Sequence, residues 1–408
     1  MRLTAILTAL ALLLTPIAAA AQQGFTARAR VLPEQSRLAQ SGRALTLELG
    51  LSQGVPYRAF TLDEPRRVVL DFQEVDWTGL RKEAFTGAEQ ISDIRYGSYV
   101  PGWSRLVLEL ATPMRLRSAA LDIDSVTAEA ALKVVLEPTS ADAFTAEAGA
   151  PYDPRLDLPE PAELLARPRK DSDAPLVVML DPGHGGLDPG AEADGGIAEK
   201  DLMLSFAYDL GERLVRSGAF EVLLTREGDY FVSLERRIAM AHQQGADLFI
   251  SLHADSVSEG MAHGTVVYTL SKDASDVASA KLAERHDRGD LLSGSDLSGA
   301  DDVVTDVLLD LARQETHPRS TALAQSVIEA LMEGGGPVNR RPLRSAGFSV
   351  LKSADIPSIL IELGFMSSPR DLELLNDPDW RARAAQGILQ GLLEWREADV
   401  ARRALVRQ

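Results

Sequence analysis

Leu176-Val177-Val178-Met179-Leu180-Asp181-Pro182-Gly183-His184-Gly185-Gly186 is the stretch that decides the fold. Five apolar residues in a row read as a buried strand, and the proline and glycines behind them as a sharp turn that leaves an imidazole accessible. From here strands and helices alternate. Glu199 to Ser217 carries Leu202, Phe206, Leu210 and Leu214 at helical spacing. Strands are predicted at Phe220–Thr225, Asp247–His253, Gly264–Leu270 and Pro357–Ile361. Helices are predicted at Leu234–Gln244, Arg319–Met332 and Leu372–Trp395, the last entered through Ser368-Pro369. Such alternation predicts an α/β domain over 175–398 with a mostly parallel or mixed central sheet and flanking helices.

The 48 residues of 271–318 break this rhythm and are too many for an ordinary loop. Val303, Val304, Val307, Leu308 and Leu311 form an apolar stripe bordered by Asp301, Asp302, Asp306 and Asp310, so a structured helical insertion is expected.

Upstream, residues 27–137 follow a period of two. Leu45, Leu47, Leu49 and Leu51 share one face of a strand, as do Leu106, Leu108 and Leu110. Arg67–Phe72 and Ala131–Leu136 are further apolar runs. Short strands between turn residues predict a separate small all-β sandwich, read as a binding module. Seven of the 21 prolines fall between Pro138 and Pro175, so 138–174 reads as an extended linker.

Arg2, the apolar run Ala5–Ile17 and Ala19-Ala20-Ala21 have the layout of a secretory signal peptide over 1–21. No other segment is apolar enough to span a membrane, so an exported protein without stable membrane insertion is expected. The net charge of −18 argues against nucleic acid as a partner. With no cysteine, disulfides, thiolate catalysis and thiolate-bound metal are excluded.

Ligands in open α/β sheets bind beyond the carboxyl ends of the strands. His184, His253 and Glu362 all fall at such ends, and Glu199 opens the helix after the glycine-rich loop. Two imidazoles and a carboxylate are a usual set for one catalytic zinc, which acidifies a bound water. A further carboxylate then takes a proton and passes it to the leaving nitrogen, a role that suits Glu362 inside Ile359-Leu360-Ile361-Glu362-Leu363-Gly364. Residue types alone leave competitors open: structural histidines, a loop that cradles phosphate, an ion-paired glutamate. The loop lacks Gly-x-Gly-x-x-Gly and a P-loop lysine, which disfavours nucleotides. Arg226 and Arg237 read as structural partners of nearby carboxylates. His242, His263, His286 and His317 read as non-ligands.

Four ordered motifs carry a resemblance over about 176–396. They are Leu180-Asp181-Pro182-Gly183-His184-Gly185-Gly186 with Asp188-Pro189-Gly190-Ala191, Glu199-Lys200-Asp201, Ser251-Leu252-His253-Ala254-Asp255, and Ile361-Glu362-Leu363-Gly364-Phe365. The chain resembles the zinc N-acetylmuramoyl-L-alanine amidases of Gram-negative cell division. The resemblance implies that His184, Glu199 and His253 bind one Zn2+ and that Glu362 is catalytic. It implies cleavage of the amide between N-acetylmuramic acid and L-alanine in peptidoglycan, a periplasmic location and a part in daughter-cell separation. Leu187 departs from the pattern, standing where many relatives have lysine. Arg66-Arg67-Val68-Val69-Leu70-Asp71-Phe72 is similar to part of the family's β-sandwich targeting domain. The insertion is similar to a helix that covers the site until an activator with a degenerate metallopeptidase-like domain displaces it. Candidate regulatory residues are therefore Glu284, which could reach the zinc, and Val307, Leu308 and Leu311. A monomer is the expected state. The competing functions are a non-catalytic wall-binding protein with a decayed hydrolase domain and a zinc peptidase that cuts within the stem peptide.

Overall fold

The computed structural model of the chain describes residues 28–85, 88–124, 126–151, 174–256, 262–292, 303–334, 336–353 and 355–406. Side chains of 290–292, 303–315 and 403–406 lie outside that description, as does the expected signal peptide.

The N-terminal unit contains β1 (Ala29–Ser41), β2 (Ala44–Leu51), β3 (Tyr57–Leu62), β4 (Arg67–Gln73), β5 (Val75–Asp76), β6 (Ile91–Ser98), β7 (Trp103–Leu110), β8 (Met114–Ile123) and β9 (Ala130–Pro138). They form a five-stranded sheet, β5-β1-β2-β9-β8, and a four-stranded one, β3-β4-β7-β6. The inward residues meet in one core: Leu45, Leu47, Leu49 and Leu51 against Val68, Leu70, Leu106 and Leu108. In β4 the intervening Val69 is equally buried, in a second cluster on the outer face of the smaller sheet. This explains why β4 reads as an unbroken apolar run: it is covered on two sides.

The sandwich does not end where the prolines begin. Ala141–Glu147 forms α1, capped by Ser140 and fastened by Phe144, which is buried in the sandwich core. Residues 141–147 of the predicted linker are therefore helical and packed on the sandwich. One apolar residue per turn is too weak a periodic signal to find so short a helix. Residues 152–173 lie outside the described residues.

The C-terminal unit holds β10 (Leu176–Pro182), β11 (Glu192–Ala193), β12 (Ile197–Ala198), α2 (Glu199–Arg216), β13 (Phe220–Leu224), α3 (Leu234–Gln243), β14 (Leu248–His253), β15 (Thr265–Leu270), α4 (Val277–Leu292), α5 (Val303–Glu333), β16 (Val338–Ala346), β17 (Ser358–Glu362), α6 (Pro369–Asn376) and α7 (Pro378–Val406). Six strands form one mixed sheet in the order β13-β10-β14-β17-β15-β16. β13, β10, β14 and β17 run parallel, whereas β15 pairs antiparallel with β17. One face packs against α2, α5 and α7 through Leu202, Phe206, Leu210, Leu323, Val327 and Ile388. The other buries Met179, Phe249, Tyr268 and Leu360.

The insertion is not set apart from the helix behind it. α5 runs through Pro318, so the end of the insertion and the predicted helix 319–332 are one rod. Proline costs one intrahelical hydrogen bond, and the packing of Leu323, Val327 and Leu331 outweighs the loss. Conversely, Pro378 divides the predicted C-terminal helix into α6 and α7.

Candidate active site

Neighbouring strands bring the site together. In the sheet, Asp181 lies opposite Ser251, and His253 lies opposite Glu362. The carboxyl ends of β10, β14 and β17 therefore emerge side by side, and α2 starts against them.

Asp181 anchors the loop that follows β10. Fully buried, it receives Arg237 Nη1 at 2.6 Å, Thr225 Oγ1 at 2.6 Å and Ser251 Oγ at 2.7 Å. Arg237 also donates to the carbonyls of Pro182 and His184, and Arg226 to those of Pro182, Gly183 and Lys200. Both arginines tie down the backbone of the loop; Arg237 also pairs with Asp181, whereas Arg226, read as a partner of a carboxylate, bonds to carbonyls instead. They hold His184 in the left-handed region, at φ 60°, a conformation that non-glycine residues rarely adopt and that surrounding structure must enforce. Gly183 admits the second imidazole, since a Cβ there would collide with Cε1 of His253.

Burial raises the Asp181 carboxyl, but Arg237 and the two hydroxyls outweigh it and hold it below the usual range. A carboxylate with a lowered folded pKa contributes stability that is complete above the unfolded value, about 3.9, and is lost as pH falls through the folded value. Asp181→Ala should cost about 3–5 kcal/mol, because it leaves Arg237 buried without its charge partner. Denaturant unfolding at pH 7 checks this. Below pH 4 the gap between wild type and variant should narrow.

His184, Glu199 and His253 converge. Glu199 Oε2 lies 3.3 Å from His184 Nε2, and Glu199 Oε1 lies 3.0 Å from His253 Nδ1. Both oxygens also accept backbone amides, from Ala191 at 2.9 Å and Ala254 at 2.8 Å. These amides and the start of α2 favour the charged carboxylate. The carboxylate thus bridges the two imidazoles, one through each oxygen. His184 Nδ1 bonds to Asp188 Oδ2 at 2.8 Å, which orients the ring and leaves Nε2 for a ligand.

Glu362 lies beside them, fully buried, with Oε2 accepting the amide of Asp255 at 3.0 Å. Burial, and then the charges of Glu199 and Asp255, push its carboxyl well above the usual range. Burial, and then the neighbouring His286, press the His253 imidazole down to about 4.

His286, read as a non-ligand, also sits here. On α4 it shares a buried face with Leu282 and Ala283. Its ring centroid is 4.2 Å from that of His253, and Nε2 lies 3.5 Å from Asp255 Oδ2 and 3.8 Å from Glu362 Oε1. His184, His253 and His286 present ring nitrogens all within 4.8 Å of one another, a grouping able to hold a metal ion. A histidine on an apolar helix face was the sequence signal, but it has the same pattern as a structural core histidine. Glu284, two residues earlier, is exposed. Val307, Leu308 and Leu311 lie in α5 with side chains outside the described residues. The His242 ring lies elsewhere, with Nε2 3.2 Å from Ser353 Oγ, and the His263 carbonyl accepts Asn339 Nδ2 at 2.8 Å.

His184 Nε2, His286 Nε2, Glu362 Oε1 and Asp255 Oδ2 are buried with no hydrogen-bond partner among the described residues. Several lie at ion-pair distance from one another without the geometry of a hydrogen bond. Orphaned donors and acceptors facing one another are costly unless a further group completes them. A cation held by ring nitrogens of this group would complete part of the set, and nitrogen and carboxylate donors without thiolate suit zinc.

Comparison with known proteins agrees with the two-unit architecture. The N-acetylmuramoyl-L-alanine amidase family model matches residues 178–394, and the AMIN domain model matches residues 36–136. N-acetylmuramoyl-L-alanine amidase AmiC of Escherichia coli O6:H1 is 32% identical over 357 residues, 82% of this chain and 82% of that protein. AmiC of Neisseria meningitidis serogroup B is 32% identical over 412 residues, covering 96% of this chain and 95% of that protein. Amidase AmiA of Escherichia coli K12 is 36% identical over 230 residues, 55% of this chain and 78% of that protein. Likeness along nearly the whole length, in a domain that brings two imidazoles and two buried glutamates together at its strand ends, places the chain in a family: it belongs to the N-acetylmuramoyl-L-alanine amidases, the hydrolases of the amide that joins N-acetylmuramic acid to L-alanine in peptidoglycan.

Proposed function

We propose that this amidase works with one zinc ion held by His184, Glu199 and His253, that Glu362 is its general base and acid, and that α4 blocks the site at rest. The contact of one carboxylate with both imidazoles, at 3.3 and 3.0 Å, carries the reading.

Zinc bound there would supply Lewis acidity toward the amide carbonyl and an acidified water. The residues do the rest. Asp188 orients the ring of His184, and the walls of the site exclude bulk water from Glu362. Its raised affinity for a proton suits it to take one from the attacking water and return it to the alanine nitrogen as the bond breaks. Purified sacculi digested with the full chain should release stem peptides with a free L-alanine amino terminus, and a chelator should stop the release. Cuts inside the stem peptide would identify a peptidase, and release unaffected by chelation would remove the metal.

The blocking residue in this reading is His286 instead of Glu284. α4 is fastened across the site by its neighbours: Arg285 to Asp255 at 3.0 Å, Asp287 to Ser349 Oγ at 2.8 Å and Arg288 to Glu109 at 3.2 Å. His286→Ala is expected to raise the basal activity of the purified enzyme about tenfold, the effect of removing ~1.4 kcal/mol of blocking interaction. Unchanged or lower activity, with the variant folded, would assign His286 to structure. A partner protein that draws α4 away would be the physiological activator. The family's role in separating daughter cells, and a periplasmic location, complete the proposal. No helix among the described residues is long and apolar enough to cross a membrane.

A further inference from the structure

The turn after β10 touches the N-terminal sandwich. The amide of Leu187 donates to the Ser98 carbonyl at 3.0 Å. A Cβ on Gly186 would collide with that carbonyl, and one on Gly97 would lie 2.8 Å from Cα of Leu187, so the two backbones meet without room for a side chain. Leu187 is 2% exposed, in a cluster with Phe60, Val69, Tyr99, Val107 and Phe231 that spans the two units. Tyr99 and Phe231 stack across the boundary with centroids 5.9 Å apart. This cluster is the second cover of β4. Beside it, Arg95 Nη1 of β6 lies 3.7 Å from Asp188 Oδ1, and the other oxygen of Asp188 holds His184 Nδ1.

We infer that the N-terminal sandwich is a working part of the metal site: Leu187 is the plug that docks it, and Arg95 is a positioning residue that steadies Asp188 and through it the ring of His184. This rests on the proposed role of His184 as a ligand.

The test uses the full chain. Zinc dissociation constants are measured by chelator competition for wild type, Arg95→Ala, Arg95→Lys and Leu187→Asp. Docking is followed in parallel by the distance between spin labels on Ile123→Cys and Val215→Cys, exposed positions in a chain without native cysteine. Arg95→Ala should weaken zinc about tenfold, the low end of the loss when an outer partner of a metal-binding histidine is removed. Its label distance should stay unchanged, and Arg95→Lys should recover part of the affinity. Leu187→Asp should weaken zinc to a similar extent and broaden the distance distribution. If folded Arg95→Ala and Leu187→Asp bind zinc within about twofold of wild type, the proposal is overturned. If wild type itself binds no zinc, the ligand assignment fails and takes this proposal with it.

Discussion

Glu362→Ala is expected to lower amidase turnover by about a thousandfold, midway in the range for removing a general acid and base, while zinc still binds. The separation is possible because Glu362 stands apart from the three groups that touch one another. Its carboxylate accepts the Asp255 amide and otherwise faces His286. Glu362→Gln preserves shape and hydrogen bonding but removes the proton acceptor, and should be nearly as inactive. Turnover on sacculi and zinc content, measured on the same preparations, decide the matter. An alanine variant with more than about a tenth of wild-type turnover would take Glu362 out of the proton transfers.

Glu199→Ala should act on a different quantity. Glu199 is completely buried and receives two backbone amides as well as the two imidazoles. Its loss would remove a ligand of the proposed zinc and leave the amides of Ala191 and Ala254 without an acceptor. Zinc affinity should fall by more than about a hundredfold, beyond what an outer partner costs, and activity should fall to background. The wild-type protein stripped by chelation should lose activity in the same way and recover it on adding zinc. The metal should also raise the unfolding temperature of the folded chain, since free zinc at a thousand times its dissociation constant adds about 4.1 kcal/mol. An unchanged melting profile with and without zinc would exclude a site preformed in the native state.

Much of this arrangement was legible in the sequence, for physical reasons that differ by residue. The buried strands β14 and β17 are apolar runs that end in a residue no core would accept unpaired, and that contrast exposes His253 and Glu362. Glu199 is visible because it opens a helix with a clean apolar stripe. β16 was invisible: Asn339, Arg340, Arg341 and Pro342 make a polar edge strand, with only Ala346 buried. Its place is set by pairing with β15. His286 was passed over because α4 alone cannot show what its apolar face covers, and that face meets groups more than thirty residues away in the chain. The role of Asp188 is not legible in its motif, since its contact to His184 depends on the turn between them. The docking of the sandwich on the turn at Leu187 needs two units placed together, which no local pattern encodes.

The last strand of the sheet to be synthesised, β17, lies between β14 and β15, both made about a hundred residues earlier. A growing chain therefore has a gap in the middle of its sheet where Glu362 belongs, and the earlier strands must wait for a late arrival to close it. Long-range insertion of this kind is slow, and it delays completion until the chain is nearly whole. The side chains of His184, Glu199, His253 and Glu362 therefore share one surface only once this last strand has joined the sheet.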